Sequence, residues 1–241
     1  MAKHFHRELG NIKKMILSLG TLVEDRVRMV IEAVENRDPD LAQQIIRLDY
    51  EIDEMEVEVE EECLKVLALH QPVAVDLRFL ISVIKINNDL ERIGDQAVNI
   101  AQRVSILAQR KSSGHFYDYS PMSEKVQAML KMSLDALAEL DESLAFKVLA
   151  LDDEVDHLKS VAYDQIKHEI KKHPDAVGHL INLFLISRHL ERLADHATNI
   201  AEEVIYLIEG EIVRHGKYPG EIQLGKATEK KNRSAPHPEN S

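Results

Sequence analysis

The sequence predicts an all-α protein built as two tandem, pseudo-symmetric antiparallel three-helix bundles, and three observations carry that expectation. The first is composition. The 241 residues include 9 glycines, 7 prolines and no tryptophan, and aromatic residues make up 5% of the chain. That usage disfavours a turn-rich β fold and suits long amphipathic helices. The second is periodicity, since apolar residues recur every three or four positions rather than alternating. The third is internal repetition. Residues 26–53 align without gaps on 129–156, and NDLERIGDQAVNIA (88–101) matches RHLERLADHATNIA (188–201) at 8 of 14 positions. Two copies of one three-helix unit, each of about 105 residues, follow from this self-similarity.

Each helix has its own justification. The first is expected over 4–36, ending before Asp38-Pro39, because proline suits the first helical position and not the interior. The second, over 40–70, carries Leu41, Ile45, Leu48, Ile52, Met55, Val59 and Leu64 on one face. Gln71-Pro72 opens a third over 73–110, and KSSGHFYDYS (111–120) has the composition of a linker. Ser120-Pro121 starts a fourth over 121–139, with Leu134, Leu137, Ala138 and Leu140 as its apolar stripe. The fifth is expected over 141–171, and His173-Pro174 starts the sixth over 174–210. Residues 1–112 then form the first bundle and 113–215 the second, while 216–241 loses periodicity and reads as a disordered tail.

Charge and cysteine content narrow the function. With 42 acidic against 30 basic side chains the formal net charge is −12, a surface that repels phosphate backbones and argues against a nucleic-acid partner. Cys63 is the sole cysteine, so neither an intrachain disulfide nor a thiolate zinc cage is available. Its neighbours Glu60, Glu61 and Glu62 disfavour the thiolate and with it a reactive role. The N-terminus lacks an apolar signal core, and the densest apolar stretches (79–86 and 180–186) are too short to span a bilayer. A cytoplasmic protein without membrane insertion is expected.

Four acid pairs stand four residues apart at equivalent places in the halves: Asp49 with Asp53, Glu91 with Asp95, Asp152 with Asp156, and Glu191 with Asp195. Roughly seven such pairs would arise by chance at this acid content, so one pair alone reads as a solvated face. Three features raise their significance. Residues at i and i+4 project from one helix face. Glu91 and Glu191 stand on largely apolar stripes, with Ile84 and Val98 flanking the first, and Phe184 and Thr198 the second. Both pairs also recur beside an asparagine, Asn99 or Asn199. If the second and third helices of each bundle face one another here, four carboxylates meet, and a cation, an arginine or proton uptake must offset their repulsion. Arg92 and Arg192 could do so only by folding back. Oxygen-only ligation suits Mg, Mn, Ca or Fe, with Zn allowed. The competing reading is a solvated or protonated acidic seam.

Other chemistry is sparse. Among 12 histidines, Glu154 with His157 makes a single Glu-x-x-His, an element that ferritin-type dimetal proteins use twice, and its counterpart is Glu51 with Glu54. His196 is expected at the surface. Neither a Gly-rich phosphate loop nor a Ser/His/Asp or Cys/His nucleophile arrangement is present.

The strings LERIGDQAVNIA and LERLADHATNIA, followed by EEVIYLIEGEIVRH, closely resemble the PhoU family of bacterial phosphate-uptake regulators, over about residues 5–215. The one small departure is Ala194 where the first copy has Gly94. The resemblance implies two three-helix bundles whose Glu/Asp-x-x-x-Asp motifs bind metal clusters, here Asp49, Asp53, Glu91 and Asp95, and Asp152, Asp156, Glu191 and Asp195. It implies negative regulation of the phosphate regulon and of high-affinity phosphate uptake rather than catalysis. The metal, Fe, Zn, Mn or Mg, would be multinuclear. The implied partners are a second copy in a homodimer, the ATPase subunit of the phosphate ABC transporter and a sensor histidine kinase, which would hold the protein peripherally at the inner membrane. A carboxylate-bridged dimetal enzyme and a metal-free helical scaffold are the alternatives.

Overall fold

The same local device starts a helix in each half. Arg37 (φ 51°) and Leu140 (φ 54°), 103 residues apart and equivalent in the repeat, both adopt the left-handed conformation that ends the preceding helix. The next residue then caps its successor: Asp38 accepts from the amides of Asp40 and Leu41, and Asp141 from those of Ser143 and Leu144.

This computed structural model describes residues 2–109 and 117–213, so the expected tail and residues 111–116 of the linker lie outside it. The helices are α1 (Ala2–Asn36), α2 (Pro39–Arg47), α3 (Tyr50–His70), α4 (Ala74–Ala108), α5 (Ser120–Glu139), α6 (Glu142–Lys172) and α7 (Val177–Glu209), with a short 3-10 turn at Pro174–Ala176. The expected second helix is therefore two. Leu48 (φ −94°, ψ 4°) leaves helical geometry and its amide is shared between the carbonyls of Gln44 and Ile45, which tightens one turn and separates α2 from α3. Leu151 and Asp152, the counterparts of Leu48 and Asp49, run through the uninterrupted α6. Two further expectations are corrected. Leu64 and Leu140 are exposed, because Cys63 and Val66 carry the buried stripe of α3 to its end, and because Leu140 is the left-handed cap itself.

In the first half α1 packs on α3 and α4, and α2 on α4; in the second, α5, α6 and α7 pack on one another. One apolar core runs through both halves, joined by α4 against α7 and α1 against α5. The α4–α7 seam is antiparallel and two-fold in its detail. Ser82, Asp89, Gln96 and Arg103 stand seven residues apart on α4 and meet Glu203, His196, His189 and Asn182 on α7. The Asp89–His196 contact (2.8 Å) has as its symmetric twin Gln96–His189 (2.9 Å). Ser82–Glu203 (3.5 Å) likewise has Arg103–Asn182 (3.4 Å). Lys85 closes the seam with Glu203 at 3.0 Å. A seven-residue repeat is the period at which two helices keep the same stripes in contact. His196, expected at the surface, is half-buried in this interface.

Beside the seam, α3 and α4 approach so closely that a Cβ at Gly94 would lie 3.0 Å from Cδ1 of Ile52. The second half solves the same packing problem differently. Its residues at these places are Ala194 and Val155, so one methylene is moved from the α3-type helix to the α4-type helix with little change in total volume. Gly94→Ala should therefore couple to Ile52→Val. In a double-mutant cycle followed by urea unfolding, the alanine is expected to be more favourable by about 1 kcal/mol or more in the Ile52→Val background. Additive effects would remove the close approach as the reason for Gly94.

Candidate metal centre

The first cluster lies where α3 faces α4. Asp49 precedes α3, which carries Asp53 and Glu56, and α4 presents Glu91 and Asp95. Asn87 fixes the register by donating its side-chain amide to the Glu56 carbonyl at 2.8 Å. Burial raises the Asp49 carboxyl above its ordinary range and the charges of Asp53 and Asp95 raise it further, while Arg26 opposes. Glu91 is raised by burial, then by Asp95, with Arg92 opposing and Glu56 and Asp53 adding to the rise. Arg92 does fold back: its Nε is 3.3 Å from Glu91 Oε2 and its Nη1 3.3 Å from Asp95 Oδ2. Even so, Glu91 Oε2 is buried and accepts no hydrogen bond among the described residues. Arg26, buried where the second half has Met129, pairs with Glu51 at 2.9 Å.

The second cluster has the same four acids and a different fifth residue. Asp152 and Asp156 on α6 face Glu191 and Asp195 on α7, and Thr198 donates to Asp152 at 3.1 Å. The place of Glu56 is taken by Lys159, whose ammonium lies 2.7 Å from Asp156 and 2.5 Å from Glu191. Burial and then the charges of Glu191, Asp152 and Asp156 push the Asp195 carboxyl up to about 6, against Lys159. One cluster thus holds five carboxylates around a half-exposed arginine, and the other holds four around a lysine that already bridges two of them.

All-oxygen donors suit hard and borderline divalent cations. Carboxyls are raised in both clusters. The first offers Glu91 Oε2, which is buried, accepts no hydrogen bond among the described residues and has Arg92 Nε at 3.3 Å, as a donor for a cation. In the second, Lys159 already bridges Asp156 and Glu191. Among the described residues, the three ligand atoms that already lie within 4.8 Å of one another belong elsewhere, to His4, Glu8 and His70 at the far end of the first bundle. The sequence reading missed this trio. His4 and Glu8 stand at i and i+4, but His70 comes from another helix and no spacing announces it. It also missed the Glu56–Lys159 exchange, which lies three residues beyond the aligned stretches at the same offset. Glu154 of the lone Glu-x-x-His is engaged by Lys125 at 2.6 Å, and His157 is exposed, so that motif assembles no second dimetal ligand set. Cys63 is buried and its thiol pushed up to about 12, in keeping with an inert side chain.

A carboxyl whose folded-state pKa exceeds its unfolded value holds its proton more tightly when folded. Its contribution to stability is thus fully present below about 4 and lost as the pH rises through about 6. In metal-free protein the Asp195 carboxyl is expected to titrate near 6, read by carboxyl-carbon NMR, and Lys159→Met should move the midpoint upward. A midpoint near 4, unmoved by that substitution, would mean a solvated cluster.

Comparison with known proteins agrees with the repeat. The family model described as "PhoU domain" matches twice, at residues 16–104 and 119–204. The chain is 38% identical over 216 residues to a phosphate-specific transport system accessory protein PhoU homolog of Pseudomonas aeruginosa, covering 89% of each. It is 34% identical to a homolog of the same name from Clostridium acetobutylicum, covering 88% of this chain and 97% of that one. The crystal structure of PhoU from Pseudomonas aeruginosa superposes with a TM-score of 0.83 at 38% identity, over 86% of this chain and all of that one. The phosphate transport system regulatory protein PhoU from Streptococcus pneumoniae does so with 0.80 at 29% identity, over 88% and 100%. Two matched repeats, identity above 30% over nearly the whole length and the shared helical architecture place this chain in the PhoU family.

Proposed function

We propose that this chain is a non-catalytic accessory regulator of phosphate transport, a negative regulator of the phosphate regulon that works as a metal-binding adaptor. The observation that supports this reading most directly is the pair of carboxylate clusters, set at equivalent places on the two helices of one two-fold seam, in a chain whose relatives are named accessory proteins of the phosphate-specific transport system. Asp49, Asp53, Glu91 and Asp95 would hold metal in the first half, with Glu56 at its edge. Asp152, Asp156, Glu191 and Asp195 would do so in the second only if Lys159 withdrew. When bound, a multivalent cation supplies positive charge that offsets the carboxylates and ties α3 to α4. Residues 1–112 and 113–215 then act as two bundles. The docking partners in this reading are a second copy of the chain, the transporter's ATPase subunit and a sensor kinase. No helix among the described residues is long and apolar enough to cross a membrane, so attachment there would be through such partners.

Deletion of the gene is expected to make phosphate-regulon expression constitutive in phosphate-replete cells. A normally repressed reporter in the deletion strain would sink the proposal. In purified protein, Glu91→Ala with Asp95→Ala should remove most of the bound metal found by elemental analysis, and Glu191→Ala with Asp195→Ala should remove little. Lys159→Glu is expected to raise the metal content. Equal losses from both pairs would contradict the inequality drawn from Lys159.

A further inference from the structure

The end of the first bundle, away from the carboxylate clusters, gathers a different kind of ligand. His70 Nε2 lies 2.6 Å and His4 Nδ1 3.2 Å from the same oxygen, Glu8 Oε2, and one ligand atom from each residue falls within 4.8 Å of the other two. We propose that His4, Glu8 and His70 form a binding site for a divalent transition-metal ion of the zinc class. Two imidazole nitrogens and one carboxylate oxygen are the donor set that borderline ions prefer over magnesium or calcium, and three protein ligands leave a position for water.

The surroundings support a held site rather than a passing contact. His4 and Glu8 project from one face of α1, and the Glu8 side chain is 13% exposed. The Phe5 ring, 5.1 Å from that of His70, limits its rotation. His70 is the last residue of α3, where the unsatisfied carbonyls of the helix end favour a cation. A cavity of about 430 Å³ opens beside the trio, lined by His4 and Glu8 together with Glu58, Glu61, Glu62 and the basic side chains of Arg7 and Lys65. Bound metal would clamp the first two turns of α1 to the last turn of α3, two segments otherwise joined here by side-chain contacts. The site is independent of the carboxylate clusters, since none of its residues belongs to either.

The test uses untagged full-length protein, stripped with chelator, in a Glu91→Gln, Asp95→Asn background that silences the first carboxylate cluster. Zinc alone, followed by calorimetry, should bind with one equivalent that survives in this background. Cobalt alone should give the visible absorption of a low-coordinate nitrogen–oxygen site. His70→Ala and His4→Ala are each expected to weaken zinc at least about tenfold and to abolish the zinc-dependent rise in melting temperature. His4 is a largely exposed residue of the first turn, so its substitution tests the ligand without disturbing the core. Zinc affinity unchanged in both variants, or no zinc bound by the parent, would overturn the site. Loss of zinc in the Glu91→Gln, Asp95→Asn background alone would assign that zinc to the carboxylates and equally overturn it.

Discussion

The seven-residue register between α4 and α7 is the constraint on which the rest of the molecule depends. Ser82, Asp89, Gln96 and Arg103 commit one face of α4 to the seam, and their partners commit one face of α7. Glu91 and Asp95 fall between those positions, and at 100° per residue they are turned away from α7 and toward α3. The symmetric argument places Glu191 and Asp195 against α6. Once the seam is fixed, the carboxylates have no other place to go. The seam is also polar. A greasy α4–α7 interface could slide by one turn at little cost, whereas a displaced Asp89 or Glu203 would be buried away from its partner, so the hydrogen-bonded pairs hold the register. His189 takes part as a neutral group, since burial and the nearby Arg103, Arg192 and Arg188 push its pKa down to about 4.

Around this frame the two copies have diverged in charge while keeping their shape. Ile52 with Gly94 and Val155 with Ala194 fill similar volumes, and Asp38 and Asp141 cap their helices in the same way. What changed is the electrostatics beside the acids: Arg26 stands against Met129, and Glu56 against Lys159. Shape is held by close packing, where a single methylene is felt. The rim of a half-exposed cluster tolerates a reversal of charge, because water and side-chain motion absorb much of it.

Much of this was legible in the sequence. The repeat, the helix starts at Asp38-Pro39 and Ser120-Pro121 and the four acid pairs are all local signals, and the fold follows from them. The break at Leu48 was not legible, because the same Leu-Asp pair at Leu151 and Asp152 runs through a continuous helix, so the local residues do not announce it. Nor was the interfacial role of His196, since a histidine beside an aspartate on a polar stripe looks solvated until α4 is laid against it. His4, Glu8 and His70 illustrate the general limit. Two of the three share a helix, but the third is supplied by a chain reversal through α2, and no residue spacing encodes such a meeting. Lys159 is the opposite case. It is legible at the same offset just beyond the aligned stretches, where Glu56 in one half stands opposite Lys159 in the other and the difference carries the information.

The two clusters consequently differ in how their charge can be exchanged. Arg92 is about half exposed and reaches Glu91 and Asp95 by folding back at 3.3 Å, so it can swing into solvent without disturbing packing. In the proposed reading, the first cluster trades that arginine for a proton or a cation at little structural cost. Lys159 is held by two short ion pairs to α6 and α7 at once, with its pKa raised by both, and its departure would leave Glu191 half-buried and uncompensated. In the proposed reading, the duplicated fold therefore pairs a cluster whose counter-charge is exchangeable with one whose counter-charge is held by two ion pairs, and the α4–α7 seam joins the two.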